Sequence, residues 1–214
     1  RGADCKYSPI PHCYILINKD KKINVFCDLK KTSISFKRYF KEIKFFDLSL
    51  IVNFLSQIKN KKFIIDKNTC SFYFEKIISQ KNKIISTEDP IYNLKAIKNS
   101  KEINNIKTAH IYDGAAVTKY LFWLKNNYKK KKITEISGSQ KLYEFRKKFG
   151  KFKFSSFPTI SGSGPNLAII HYKATNKTNR VIKKGDIYLV DSGGQYEFGT
   201  TDVTRTISLN NNNR

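Results

Sequence analysis

Over the first 90 residues, β-rich runs alternate with segments whose apolar side chains recur every three or four positions. This alternation limits the chain to a layered α/β (α+β) architecture. Cys13–Ile17 and Ile23–Cys27 are β-rich and are separated by the polar Asn18-Lys19-Asp20-Lys21-Lys22, which reads as a hairpin. Further strands are predicted over 43–46, 63–65 and 84–86, with helices over 48–58 and 69–78 between them. In the first of these helices Leu48, Ile51, Val52, Leu55 and Ile58 keep the spacing of one buried face.

Asp89-Pro90 marks the predicted boundary, because proline biases the residue before it away from helix and a long helical pattern follows. The reading therefore divides the chain into 1–89 and 90–214. Across 101–126, Ile103, Ile106, His110, Asp113, Val117, Tyr120 and Leu124 fall close to one stripe. A second helix is predicted over 135–149, with Thr134 as its N-cap and Gly150 as its stop. Beyond Gly150, glycines at 162, 164, 193, 194 and 199 punctuate short strands.

The chemistry concentrates in 157–207. Residues 168–172 read as a strand ending at His171, and Gly185-Asp186 as a turn feeding an apolar strand that ends in Asp191. A second β-rich run carries Asp202. A carboxylate at the end of an apolar strand is costly unless it is paired, hydrogen-bonded or bound to metal. A symmetric hairpin turning at Tyr196-Glu197 would set Asp191 directly opposite Asp202, and two carboxylates so close call for a cation between them. The alternative from spacing alone is that one Asp caps a turn while the other faces water.

The formal charge of +24 would attract polyanions, yet of 41 basic residues only six are Arg and 35 are Lys, spread along the whole chain. Specific base reading relies on the Arg fork, so no specific nucleic-acid partner is expected. The four cysteines form no C-x-x-C pair and no zinc-finger spacing with His, which suits reduced thiols in a cytoplasmic protein. No apolar run reaches a bilayer's span, so no membrane partner is expected. The sequence contains no Met and runs from Arg1-Gly2 to an Asn tract, and both ends read as cut.

Several phrases resemble the aminopeptidase P family of pita-bread metallopeptidases. They are Phe157-Pro158-Thr159-Ile160-Ser161-Gly162, Gly164-Pro165-Asn166, Ile169-Ile170-His171-Tyr172, the run from Leu189 through Asp191-Ser192-Gly193-Gly194-Gln195-Tyr196, and Thr200-Thr201-Asp202-Val203-Thr204-Arg205-Thr206. Asp191 stands 20 positions after His171 and Asp202 stands 11 positions after Asp191, as in the family. Weaker similarity covers Arg1-Gly2-Ala3-Asp4, Leu94-Lys95-Ala96-Ile97-Lys98, the helix around His110 and the Trp123-Leu124 pair.

The resemblance implies a creatinase-like α/β domain over 1–89, incomplete at its N-terminus, followed by the first half of a pita-bread catalytic domain over 90–214. It implies hydrolysis of the N-terminal residue from peptides with proline second, with two divalent ions, Mn²⁺ foremost, and a homodimer as an option for the full-length protein. Asp191 and Asp202 would be metal ligands, His171 a catalytic histidine near the substrate, and Arg205 a brace behind Asp202. His110 reads as structural.

The family draws one further His and two Glu ligands from sequence beyond this chain's end. The chain is therefore expected to be a fragment, inactive alone. Two other readings stay open: a non-catalytic aminopeptidase-like binding module and a prolidase-type dipeptidase.

Overall fold

The computed structural model describes residues 4–210. Contacts divide the chain into two compact units, the first ending at Ile97 and the second beginning at Lys98. The α/β character expected from the sequence is present in both.

In the first unit, β1 (Cys13–Ile17) and β2 (Ile23–Cys27) form the expected antiparallel hairpin, with Cys13 opposite Cys27 and Ile17 opposite Ile23. Its turn closes through the Asn18 N–H on the Lys22 carbonyl at 2.9 Å, with Lys21 in the left-handed region. After α1 (Ile34–Tyr39), β3 (Ile43–Asp47) runs parallel to β2. The chain continues through α2 (Ile51–Gln57), β4 (Lys62–Ile65), α3 (Phe72–Ser79) and β5 (Lys83–Ser86), and β4 and β5 pair in parallel.

Phe26, Ile51, Leu55, Phe63 and Ile78 make the core of this unit, so the apolar stripe of α2 faces inward as its spacing requires. The helix predicted over 48–58 begins as a 3-10 turn because Asp47 caps the Ser49 N–H at 3.1 Å. Asp89 likewise caps the Ile91 N–H at 2.9 Å and opens α4 (Pro90–Ala96). The Asp66 carboxylate accepts the Asp89 N–H at 3.2 Å. That bond joins the Asp89-Pro90 step to residues of the first compact unit.

The second unit begins with α5 (Ser100–Asn127), started by a capping box in which Asn99 and Glu102 exchange hydrogen bonds of 2.9 and 3.0 Å. Its buried stripe is Ala109, Asp113, Ala116, Val117, Tyr120 and Leu124. The predicted stripe thus holds from Asp113 onward, but Ala109 takes the place expected for His110, and Ile103 is exposed. Space explains the exchange: a Cβ at Gly199 would stand 3.1 Å from that of Ala109. His110 faces solvent with Nδ1 2.9 Å from the Ile106 carbonyl oxygen.

α6 (Glu135–Lys147) starts at the expected Thr134 cap. It closes before the predicted end as the Phe149 N–H turns back to the Arg146 carbonyl at 3.0 Å.

Among the described residues five strands follow: β6 (Phe152–Ser155), β7 (Ile160–Ser163), β8 (Ile187–Ser192), β9 (Gly194–Tyr196) and β10 (Val203–Ser208). β8 lies between β7 and β10 in an antiparallel sheet, while β9 pairs with β6. Tyr188 and Val190 of β8 pack with Val117, Tyr120 and Leu124 of α5 and Leu142 of α6. Strand alternation then directs Asp191 to the sheet's other face. Among the described residues no helix is long and apolar enough to cross a membrane.

Candidate active site

Asp191 occupies the middle of a row across the sheet, with Ile160 on β7 to one side and Thr204 on β10 to the other. The Thr204 hydroxyl donates to Asp191 Oδ1 at 2.9 Å. Asp191 is half-buried and Asp202, immediately before β10, is exposed. The register corrects the expected hairpin: Asp191 faces Thr204, not Asp202.

The two-residue turn is Glu197-Phe198, closed by the Tyr196 N–H on the Gly199 carbonyl at 2.8 Å. That is one position later than the symmetric hairpin assumed, and a one-residue move of the turn shifts the pairing by two. Tyr196 is excluded from the turn because its ring is buried and its hydroxyl donates to Asp113 at 2.8 Å. Continuing the alternation of β10 by one residue leaves Asp202 on the same face as Thr204, diagonal to Asp191. Diagonal neighbours stand about 7–8 Å apart in such a pair.

Behind Asp191 lies a charged network that sequence reasoning missed. Asp113 of α5 and Arg146 of α6, each 1% exposed, meet through Nε–Oδ1 at 2.6 Å and Nη2–Oδ2 at 3.0 Å. Arg146 Nη2 also donates to Ser192 Oγ at 3.1 Å, on the residue after Asp191. Burial first, then the neighbouring Asp113 charge, pushes the Tyr196 phenol well above its ordinary range, so it remains a donor. Two helices and two strands are therefore fastened together directly beside Asp191. The one trace in the sequence was Asp113 itself, a carboxylate inside an apolar stripe.

Gly193 completes this corner. A Cβ there would lie 2.0 Å from the Thr201 carbonyl oxygen and 2.2 Å from Ser156 Oγ. The close approach brings the Ser156 N–H to the Gly193 carbonyl at 3.1 Å and the Gly194 N–H to Thr201 Oγ1 at 2.9 Å.

His171 is not at a strand end. β7 stops at Ser163, and Gly164–Ala168 forms a 3-10 turn with Pro165 in its first turn. The Tyr172 N–H then closes back on the Ile169 carbonyl at 3.1 Å. Proline supplies no N–H and Gly164 has φ 59, so the apolar run that looked like a strand is bent away from the sheet. His171 is exposed with φ 54, a left-handed conformation uncommon outside glycine.

Arg205 alternates to the face opposite Thr204, and its Nη1 donates to the Thr204 carbonyl at 2.7 Å. Among the described residues it makes no ion pair with Asp202, and no three His, Cys, Asp or Glu side chains converge as a group that could hold a metal ion.

A family model described as metallopeptidase family M24 matches residues 104–214, and one described as the creatinase/prolidase N-terminal domain matches 1–102. An Xaa-Pro aminopeptidase of Drosophila melanogaster is 37% identical over 97% of this chain and 35% of its own length. Xaa-Pro aminopeptidase 2 of Rattus norvegicus is 33% identical over 97% and 32%. The crystal structure of an X-prolyl aminopeptidase from Caenorhabditis elegans, described as a cytosolic enzyme with a di-nuclear active site, superposes with a TM-score of 0.86 at 27% identity. It is matched over 95% of this chain and 35% of that one. A prolidase from Pyrococcus furiosus, at 21% identity and a TM-score of 0.69, shares the fold. The chain spans about a third of the length of the curated relatives it matches. On the matched domains and on relatives aligned along nearly all of it, the chain belongs to metallopeptidase family M24, among its aminopeptidase P members.

Proposed function

We propose that this chain contributes to a metal-dependent Xaa-Pro aminopeptidase, which removes the first residue from peptides with proline second. What carries the reading is Asp191 in the middle strand of the sheet, with Asp202 one residue before β10 and on the same face by strand alternation, while the buried Asp113–Arg146 pair holds Ser192, the residue after Asp191. Two carboxylates are hard oxygen donors of the kind that suits Mn²⁺, and Thr204 already orients one of them. Asp191 and Asp202 would hold part of a two-ion centre, the remaining ligands coming from outside these residues. Such ions, when bound, lower the pKa of a water and polarise the scissile carbonyl.

His171 stands on a turn exposed to solvent, where its imidazole can donate to or accept from the substrate peptide. Residues 1–89 would form the creatinase-like part and 90–214 the first half of the pita-bread domain. Cytosolic residence is proposed on the same grounds, by likeness to the Caenorhabditis elegans enzyme.

Mn²⁺-loaded full product of the coding sequence should be incubated with an Xaa-Pro-Xaa tripeptide, an Xaa-Pro dipeptide and a proline-free control. Release of the first residue from the tripeptide, abolished by Asp191→Asn or Asp202→Asn, is expected. Cleavage confined to the dipeptide would replace the reading with a prolidase, and cleavage of none would remove it in favour of a binding module. The 214-residue chain alone is expected to release nothing, having only two of the ligands.

A further inference from the structure

Glu135 is fully buried in the first turn of α6 and has no part in the chemistry proposed above. A buried carboxylate without a cationic partner is costly unless hydrogen-bond donors satisfy it. Here four do. Oε1 accepts from the Ser163 N–H at 2.8 Å and from Asn166 Nδ2 at 3.0 Å. Oε2 accepts from the Tyr172 hydroxyl at 2.8 Å and the Arg180 N–H at 3.0 Å.

These donors are spread over the whole excursion between β7 and β8, at its start, its middle and near its end. Tyr172 is the residue next to His171. His171 itself sits at φ 54, a conformation that persists in a non-glycine residue only where its surroundings impose it.

We infer that Glu135 is a positioning residue: through Ser163, Asn166, Tyr172 and Arg180 it locks the loop that presents the His171 imidazole. The inference rests on the reading of His171 as an active-site residue. Glu135 touches neither substrate nor metal in this scheme and acts through Tyr172, whose hydroxyl it accepts.

Glu135→Gln keeps the shape but turns an NH₂ toward donors, so at least one loses its acceptor. Amide hydrogen exchange on the full product of the coding sequence should show residues 163–180 exchanging about tenfold faster or more, with the buried turns of α5 unchanged. Unchanged exchange in the loop, or an equal rise throughout the second unit, would overturn the inference. Tyr172→Phe leaves the carboxylate in place and guards against misfolding of the first variant. Its faster exchange should be confined to the turn around His171, and no change there counts against the inference.

In the peptidase assay Glu135→Gln should lower kcat/KM about 100-fold with His171 present and have little effect in a His171→Ala background. Equal losses in both backgrounds would show a merely structural role. If the unmodified protein releases nothing from Xaa-Pro peptides, the proposed function fails, while the exchange measurement still decides whether Glu135 fixes the loop.

Discussion

Arg146 carries a full charge into a site that is 1% exposed, where it pairs with Asp113 and donates to Ser192, the residue after Asp191. Taking such a pair out of water is repaid only by good geometry, whereas deleting one partner strands the other. Arg146→Met is therefore expected to cost about 3–5 kcal/mol, read as a lower midpoint in urea unfolding. Arg146→Met with Asp113→Leu should be less destabilised than the single variant, because no charge is then left unpaired. At this scale the sequence was partly readable. Asp191 is marked by its place at the end of an apolar run and Asp202 by its place inside a β-rich one, but Arg146 sits in a stretch as basic as the rest of the chain, and nothing local separates a buried guanidinium from a solvated one.

The elements were most legible where periodicity and capping agree, as in the β1–β2 hairpin and the Thr134 start of α6. They were least legible where tertiary contacts decide. The turn between β8 and β10 falls at Glu197-Phe198 because Tyr196 is claimed by Asp113, a contact 83 residues away in sequence. The run before Tyr172 looks like a strand yet is folded into turns by Gly164-Pro165 and held there by Glu135. Gly193 is the sharpest constraint on this corner, since a Cβ would fall 2.0 Å from the Thr201 oxygen, which is backbone and cannot swing aside. Gly193→Ala should displace β8 from the segment before β10, losing upwards of about 3 kcal/mol and, in the full product of the coding sequence, weakening the proposed Mn²⁺ binding together. Calorimetry and a metal titration of the same sample would check both.

As a whole the molecule carries a formal charge of +24, almost all from lysine. A field of that sign gathers polyanions without reading them. Filter binding to duplex DNA should show no sequence preference and should fall steeply as salt rises from about 50 to 200 mM. A marked preference for one sequence would contradict the reading of the lysines as solvated surface. Their distribution bears on the sheet that carries Asp191. From Gly185 to the end of the chain there is no lysine, and β7 and the turn that follows it have none between Lys153 and Lys173. A chain that places ammonium groups nearly everywhere withholds them from these strands, so Asp191 and Asp202 meet no lysine along their own elements, where the cation is Arg205, donating to the Thr204 carbonyl. Acylating reagents, which erase amine charge across the rest of the surface, would find no amine on β7, β8, β9 or β10.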